Sequence, residues 1–323
     1  MHHITLPDEQ PRHLSFYLAM EEFVARRLQQ SDCFFLWQVE PSVIFGRNQL
    51  IESEVNVEFC KSRGIRMYRR KSGGGCVYAD MSNIMFSYVT ASESVGFTFH
   101  KFLSLLLLVL RKAGVEATVS SRNDILIDGR KVSGSAFYHI PGKCIVHGTM
   151  LYDTDMTNMV GAITPDDSKL LSKGVKSVRQ HIALLKDYTD IGIDAFKRLA
   201  IQTLCRDTLC LTADDVAEIE VMEKEYLSDE FIYGNNPRCT LTQKGRIEGV
   251  GNLEARLELK NGVIKDVNLL GDYFLVGELG PMLDAMKGCT LTRDALTAVL
   301  PDNLSDIILN LKKEDFIHLL THY

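Results

Sequence analysis

Arg69-Arg70-Lys71-Ser72-Gly73-Gly74-Gly75-Cys76-Val77-Tyr78-Ala79-Asp80-Met81-Ser82-Asn83 sets three consecutive cations against three consecutive glycines. Gly64 to Arg69 before it alternates like a strand, and Ile84 to Thr90 after it is β-branched and aromatic, so the glycines lie between strands. Residues without side chains let an anion approach backbone N–H groups, and Arg70 supplies forked donors, which suits phosphate. The run is not a P-loop, since G-x-x-x-x-G-K-[ST] is absent, and it is not the G-x-G-x-x-G of a dinucleotide fold. Taken alone, Ser72 to Gly75 reads equally well as an ordinary glycine turn with solvated basic neighbours.

A second segment decides in favour of a site. Asp124 to Ile127, Asp128-Gly129, then Arg130 to Ser133 predicts a hairpin, because Asp-Gly suits the positive backbone angles of a type I′ turn. Lys131 follows that turn directly, and Asp124 either orients it across the hairpin or caps the turn. Ser133, Gly134, Ser135 and Ala136 are small and leave their backbone donors open to a ligand. Taken alone, Lys131 reads either as part of an anion site or as an exposed hairpin lysine. His147, before Gly148 and Thr149, is either a site residue or a hydrogen-bonded structural residue.

Helical spacing marks Leu14 to Gln30, Phe99 to Ala113 with Gly114 as its end, Asp194 to Leu204 and Val216 to Leu227. Strands are expected at Phe34 to Val39, Ser42 to Phe45 and Glu116 to Ser120, and Asp153 to Ser177 is helical in patches. Tyr233-Gly234-Asn235-Asn236-Pro237 breaks both periodicities and predicts a boundary. Beyond it, strands on either side of Asn261-Gly262 form a hairpin, and helices are expected at Glu278 to Met286, Thr292 to Val299 and Ser305 to Leu320. This second unit shows no catalytic constellation of its own. The division is 1–232 for a catalytic domain, 233–238 for a linker and 239–323 for a small accessory domain.

The composition, 46% hydrophobic and 24% charged over 323 residues, is that of a folded chain of two domains. Its longest apolar run, Leu103 to Leu110, is far short of the roughly 20 residues that span a bilayer. Met1 to Glu9 lacks the features of a signal or transit peptide, which predicts a cytoplasmic protein without a membrane partner. A net charge of −6 argues against nucleic acid as the ligand. The eight cysteines contain no C-x-x-C pair, and neither they nor the histidines show metal-ligand spacing.

These segments together, with Arg122-Asn123-Asp124, Gly46-Arg47-Asn48-Gln49, Leu36-Trp37 and Tyr233-Gly234-x-x-Pro237, resemble the lipoate-protein ligase A family in order and spacing. The resemblance implies an α/β (α+β) fold. It consists of a catalytic domain like those of class II synthetases and biotin protein ligases, with a mixed sheet and flanking helices, plus a small α+β C-terminal domain. It implies a ligase that converts lipoate and ATP to lipoyl-AMP and pyrophosphate, then passes the lipoyl group to a lysine. Mg²⁺ would arrive with ATP, and no tightly bound cofactor is expected. The acceptor would be an apo lipoyl domain of a 2-oxoacid dehydrogenase acyltransferase subunit, or the glycine cleavage H protein.

By that resemblance Arg70, Ser72, Gly73, Gly74, Gly75, Cys76, Val77, Tyr78, Asn83, Asp124 and Lys131 hold ATP or the adenylate. Lys131 is then the catalytic residue, bridging the adenylate phosphate and the acyl carbonyl, and a fixed ammonium there lowers the repulsion between the two anions. Arg70, Gly74, Lys131, Ser133, Gly134, Ser135, Ala136, His147, Gly148 and Thr149 hold lipoate. The chain departs from the family pattern at Cys76, commonly alanine, at Ser82, usually glycine, and at Val146, often histidine. Two alternatives stand beside this reading. One is a cysteine-dependent octanoyl or lipoyl transferase using Cys76 or Cys144, and the other is a lipoate-binding protein without turnover.

Overall fold

The computed structural model describes residues 1–30, 32–91, 95–120, 124–163, 180–234 and 239–321. Arg122, Asn123, the centre of the expected boundary at 235–238 and most of the patchy segment 153–177 lie outside them. The chain runs β1 (His2–Thr5), α1 (Leu14–Arg27), β2 (Cys33–Trp37), β3 (Ser42–Phe45), α2 (Ile51–Glu54), α3 (Val57–Arg63), β4 (Arg66–Arg69), β5 (Val77–Ala79) and β6 (Ile84–Ala91). There follow α4 (Val95–Lys112), β7 (Thr118–Val119), β8 (Ile125–Ile127), β9 (Arg130–Ile140), β10 (Lys143–Met150), α5 (Met156–Ala162), α6 (Ile193–Leu204), β11 (Asp207–Cys210), α7 (Ala213–Tyr226) and α8 (Asp229–Tyr233). The last part is β12 (Leu241–Ile247), β13 (Gly251–Lys260), β14 (Val263–Gly271), α9 (Leu279–Met286), α10 (Arg293–Val299) and α11 (Lys313–Thr321).

The large sheet has the order β11-β1-β2-β6-β10-β9-β8-β7. It is parallel at the β11, β1 and β2 end and antiparallel from β2 to β7. Strand alternation divides its side chains between two cores. Cys33, Phe35, Trp37 and Ile145 face α1 and α7, while Phe34, Phe86, Cys144 and Val146 face α4 and α6. On α4 the stripe Phe99, Phe102, Leu103, Leu106, Val109 and Leu110 is buried, each side chain contributing about 1.5–3 kcal/mol of gross hydrophobic stabilisation. Gly114 ends the helix region at φ +80°, as its sequence position predicts. The Asp-Gly and Asn-Gly turns also form as expected, with Asp128, Gly129, Asn261 and Gly262 all at positive φ.

A second sheet, β4-β3-β5, carries the glycine run. Its outer strands β4 and β5 both pair with β3, so the chain from Arg70 to Cys76 must cross the end of β3. The third sheet, β12-β13-β14, has its own core with α9, α10 and α11 around Leu253, Leu257, Met282, Leu296 and Phe316. One expected helix there is broken: Ser305 to Leu320 becomes a 3₁₀ turn at Leu304–Asp306 and, separately, α11. Asn310 sits between them at φ +63°, a conformation that no helix propagates.

The third sheet docks on the glycine run. Gly74 N donates to the Tyr273 carbonyl at 3.4 Å, and Gly271 N donates to the Asn48 carbonyl at 2.9 Å. A Cβ on Gly73 would lie 2.3 Å from the Tyr273 carbonyl oxygen, a backbone atom that cannot yield alone. Gly73→Ala is therefore expected to lower stability by about 1–3 kcal/mol, as overpacking does. It should also enlarge the radius of gyration measured by small-angle scattering, and an unchanged radius and melting temperature would refute the contact.

Candidate active site

Crossing the end of β3 forces close backbone approach, and the sequence meets it with glycine on both sides. A Cβ on Gly46 would stand 2.2 Å from the Gly74 carbonyl oxygen. Arg70 N donates to the Phe45 carbonyl at 3.1 Å and Arg47 N to the Ser72 carbonyl at 2.9 Å. The loop curls around the Arg70 guanidinium. That group donates to Ile44 O at 3.1 Å, Gly73 O at 2.6 Å, Gly75 O at 2.8 Å and Ser72 Oγ at 3.0 Å. Arg70 is only 5% exposed, and burial lowers its pKa to about 10, so it stays charged at neutral pH.

The two cations flanking Arg70 have other partners. Arg69 donates to the carbonyls of Ile232 at 2.9 Å, Arg47 at 2.8 Å and Gln49 at 2.7 Å, with its guanidinium 4.6 Å from the centre of the Phe45 ring. Lys71 lies 2.6 Å from Glu22 and 2.7 Å from Glu225. Burial alone would raise the Glu22 pKa, but hydrogen bonds from Lys71 and Tyr226 and the nearby Arg26 hold it below the usual carboxylate range. Of the three, Arg70 alone lines the cavity beside the loop.

That cavity is lined by Arg70, Gly74, Gly75, Cys76, Val77, Asp124, Lys131, Gly134, Ser135, Ala136, His147, Gly148 and Thr149, all expected from the sequence. Lys131 Nζ sits 2.8 Å from Asp124 Oδ1, so Asp124 takes the orienting role across the hairpin. A Cβ on Gly134 would fall 2.9 Å from both Lys131 Cε and Nζ, so the lysine lies over a residue that has no side chain. The Lys131 carbonyl also accepts from Ala183 N at 2.8 Å, which pins the strand outside the turn.

Five expected residues lie behind the wall instead of in it. Ser72 is buried between Arg70 and His147, with Oγ 2.7 Å from His147 Nε2. Gly73 faces Tyr273, and Tyr78 packs with Val43, Phe45 and Cys60. Ser133 is buried on β9. Asn83 donates to Thr154 Oγ1 at 2.9 Å, beside Asp80, whose oxygens accept from Ser82 N and Asp155 N.

Sequence reasoning missed two parts of the lining. Leu18, Ile44 and Met85 join Trp37, all four members of one hydrophobic cluster, to give the cavity an apolar part. Gly249, Val250, Gly251, Asp272, Phe274, Leu309 and Asn310 come from the C-terminal unit, which therefore does contribute to the site. Phe274 is wedged against Phe99 and Phe137, with ring centroids 6.1 and 5.8 Å away. Neither Gly249 nor Asn310 carries a local sequence signal for what it approaches.

The candidate thiols are poor nucleophiles. Cys76 lines the cavity, but burial pushes its pKa up to about 12 against the lowering effect of Arg70. Cys144 faces the α4 core and burial pushes it to about 12 as well. At pH 8 the thiolate fraction of such a group is on the order of 10⁻⁴. Iodoacetamide at pH 8 should therefore label the exposed Cys210 and Cys239 well before Cys76 and Cys144. Peptide mapping that found Cys76 labelled as fast as Cys239 would contradict this environment.

Residues 13–205 match the family model of the lipoyl protein ligase A/B catalytic domain, and residues 236–320 match that of the bacterial lipoate protein ligase C-terminus. Lipoate-protein ligase LplJ of Bacillus subtilis is 33% identical over 316 residues, covering 94% of this chain and 95% of the relative. Among solved structures, the bipartite lipoate protein ligase of Thermoplasma acidophilum, studied with its E2 lipoyl domain, aligns with TM-score 0.66 and 26% identity over 74% of this chain and 98% of that one. A lipoate-protein ligase A bound with ATP aligns with TM-score 0.63 and 25% identity over 72% and 98%. A mixed sheet between helices, a glycine loop facing a hairpin lysine, and these two matched regions together place the chain in the lipoate-protein ligase family, a family of ligase enzymes.

Proposed function

We propose that this chain activates lipoate with ATP to give lipoyl-AMP and pyrophosphate, then transfers the lipoyl group to a lysine of an apo lipoyl domain. The observation that carries the reading is Lys131. Its ammonium is held by Asp124 in the wall of one cavity that is also lined by Gly74, Gly75 and the apolar cluster Leu18, Trp37, Ile44 and Met85. An aliphatic chain suits that apolar cluster, and its carboxylate would then meet the polar lining.

In the first step a lipoate carboxylate oxygen bonds to the α-phosphorus as the bond to pyrophosphate breaks. The Lys131 ammonium lowers the repulsion between the two anions. In the second step the acceptor amine attacks the acyl carbonyl and AMP departs, and the same ammonium stabilises charge on the carbonyl and phosphate oxygens. Mg²⁺ enters on the triphosphate as part of the substrate. Among the described residues no group of three or more His, Cys, Asp or Glu is placed to hold a resident ion, and a Mg²⁺ carried on phosphates needs few protein ligands.

The ATP-bound and E2-associated relatives support ATP as co-substrate and a 2-oxoacid dehydrogenase lipoyl domain as acceptor, with the glycine cleavage H protein as the other acceptor of that class. Neither nucleic acid nor membrane is a partner in this reading. No helix among the described residues is long and apolar enough to cross a membrane, and all eight cysteines are free thiols, which supports a cytoplasmic setting. The separate sheet and core of the C-terminal part support 1–232 as the catalytic domain and 239–323 as the accessory domain, joined by 233–238. Protonated Cys76 and distant Cys144 favour the ligase over the thioester transferase.

Incubation with ATP, lipoate and an apo lipoyl domain should give ATP-dependent lipoylation with pyrophosphate release. Cys76→Ser and Cys144→Ser should keep it, since no thioester forms. Transfer that needs a carrier-bound acyl donor and a cysteine would support the transferase instead. Lys131→Ala should lower adenylate formation by about 10²–10³-fold, the size of losing one preorganised electrostatic stabiliser. Undiminished turnover in that variant would sink the mechanism.

Gly134→Ala tests the same lysine by position. Its Cβ displaces the ammonium without removing it, and a shift of about 1 Å can cost about 10²-fold in rate. The expected outcome is a reduced kcat in a stably folded protein, and a wild-type kcat would show that the lysine's position is not critical.

A further inference from the structure

Behind the cavity wall the buried hydrogen bonds run in one direction. Arg70 is a donor at every guanidinium nitrogen, so Ser72 Oγ accepts from its Nε at 3.0 Å. The single Ser72 hydroxyl proton then goes to His147 Nε2 at 2.7 Å, which leaves the ring proton on Nδ1. Nδ1 faces both oxygens of Glu21, at 3.0 and 2.9 Å. From the other side Trp37 Nε1 donates to Ser87 Oγ at 2.8 Å, and Ser87 donates to Glu21 Oε1 at 2.6 Å. A ring protonated on Nε2 would leave the Ser72 hydroxyl proton without an acceptor among its described side-chain partners.

Two donor chains thus end on one carboxylate. It sits on α1, is 0% exposed and does not line the cavity. One chain leads to the glycine loop and the other to Trp37 in the apolar part of the lining. A carboxylate is the side chain that only accepts, whereas glutamine would turn an NH₂ toward one of the two donors. The adjacent Glu22 is a useful contrast, since it is bonded to Lys71, Tyr226 and Arg26 and reaches neither Ser72 nor His147.

We propose that Glu21 is a positioning residue for the ligase reaction: it holds the His147 tautomer that orients Ser72, and through Ser72 it sets Arg70 and the glycine loop. The proposal rests on the acyl-adenylate reading above, and its test separates the two. Glu21→Gln, Ser72→Ala and the double variant are compared in lipoate-dependent exchange of pyrophosphate into ATP. The His147 tautomer is read in parallel from ring ¹⁵N chemical shifts.

Glu21→Gln is expected to lower kcat about tenfold or more with KM for lipoate little changed, because the residue acts on geometry from outside the cavity. The double variant should be no slower than Ser72→Ala alone, since residues acting through one chain are not additive. Wild-type His147 should carry its proton on Nδ1, and Glu21→Gln should move it toward Nε2. If Glu21→Gln does not fold, the wild-type tautomer and its retention in Ser72→Ala, where Glu21 still faces Nδ1, decide the matter. Wild-type protein without ATP-dependent activity would overturn the ligase reading. Active wild-type protein with additive losses, or with His147 protonated on Nε2, would overturn the positioning role alone.

Discussion

A guanidinium enclosed by the carbonyls of its own loop is the constraint on which the site depends. Arg70 is taken out of water at a cost of several kcal/mol for a buried ion, and it is kept charged by acceptors at Ile44, Gly73, Gly75 and Ser72. Charge-assisted hydrogen bonds contribute about 1.5–3 kcal/mol each, so the set offsets that cost only while the loop stays curled. The loop's shape and the cation's burial therefore require each other. β3 fixes where this happens, because the two strands flanking it leave the connecting chain no route except across its end.

Much of this was legible locally. The Asp128-Gly129 turn follows from residue type, and with it the placement of Lys131 and Asp124 on facing strands. Strand alternation in Cys33 to Trp37 separates the two cores as the pleat requires. The glycine run between strands was correctly located. Charge, however, was a poor guide to what the charges do: Arg69 and Lys71 look like Arg70 in sequence, yet they are committed to Ile232, Gln49, Glu22 and Glu225. A basic run in a sequence does not show which carbonyls and carboxylates will surround it after folding.

The rest was hidden for a related reason. Phe274 and Asn310 reach the cavity from about two hundred residues away in the chain, and a contact that distant leaves no local pattern. The break at Asn310 was invisible because the apolar spacing of Ser305 to Leu320 fits a helix on either side of it. Glu21 did leave a trace. Met20-Glu21-Glu22-Phe23 places two carboxylates inside an otherwise buried helical stripe, and buried acids are rare without partners. Read as a question about who accepts and who donates, that pair points to a polar network behind the wall.

The three glycines show how far a motif can be from one explanation. Gly73 is glycine because the Tyr273 carbonyl lies where its Cβ would be. Gly74 combines φ +85° with the Phe274 ring and the Arg70 guanidinium, so both backbone conformation and space exclude a side chain. Gly75 has no protein atom within 4 Å of its would-be Cβ, and its φ is not in the left-handed region. Its missing side chain serves no contact of the folded chain and leaves space in the cavity that Gly75 itself lines. One run of identical residues thus answers to domain docking, to loop geometry and to ligand access in turn. The anion-binding argument made for all three from sequence applies most directly to the last.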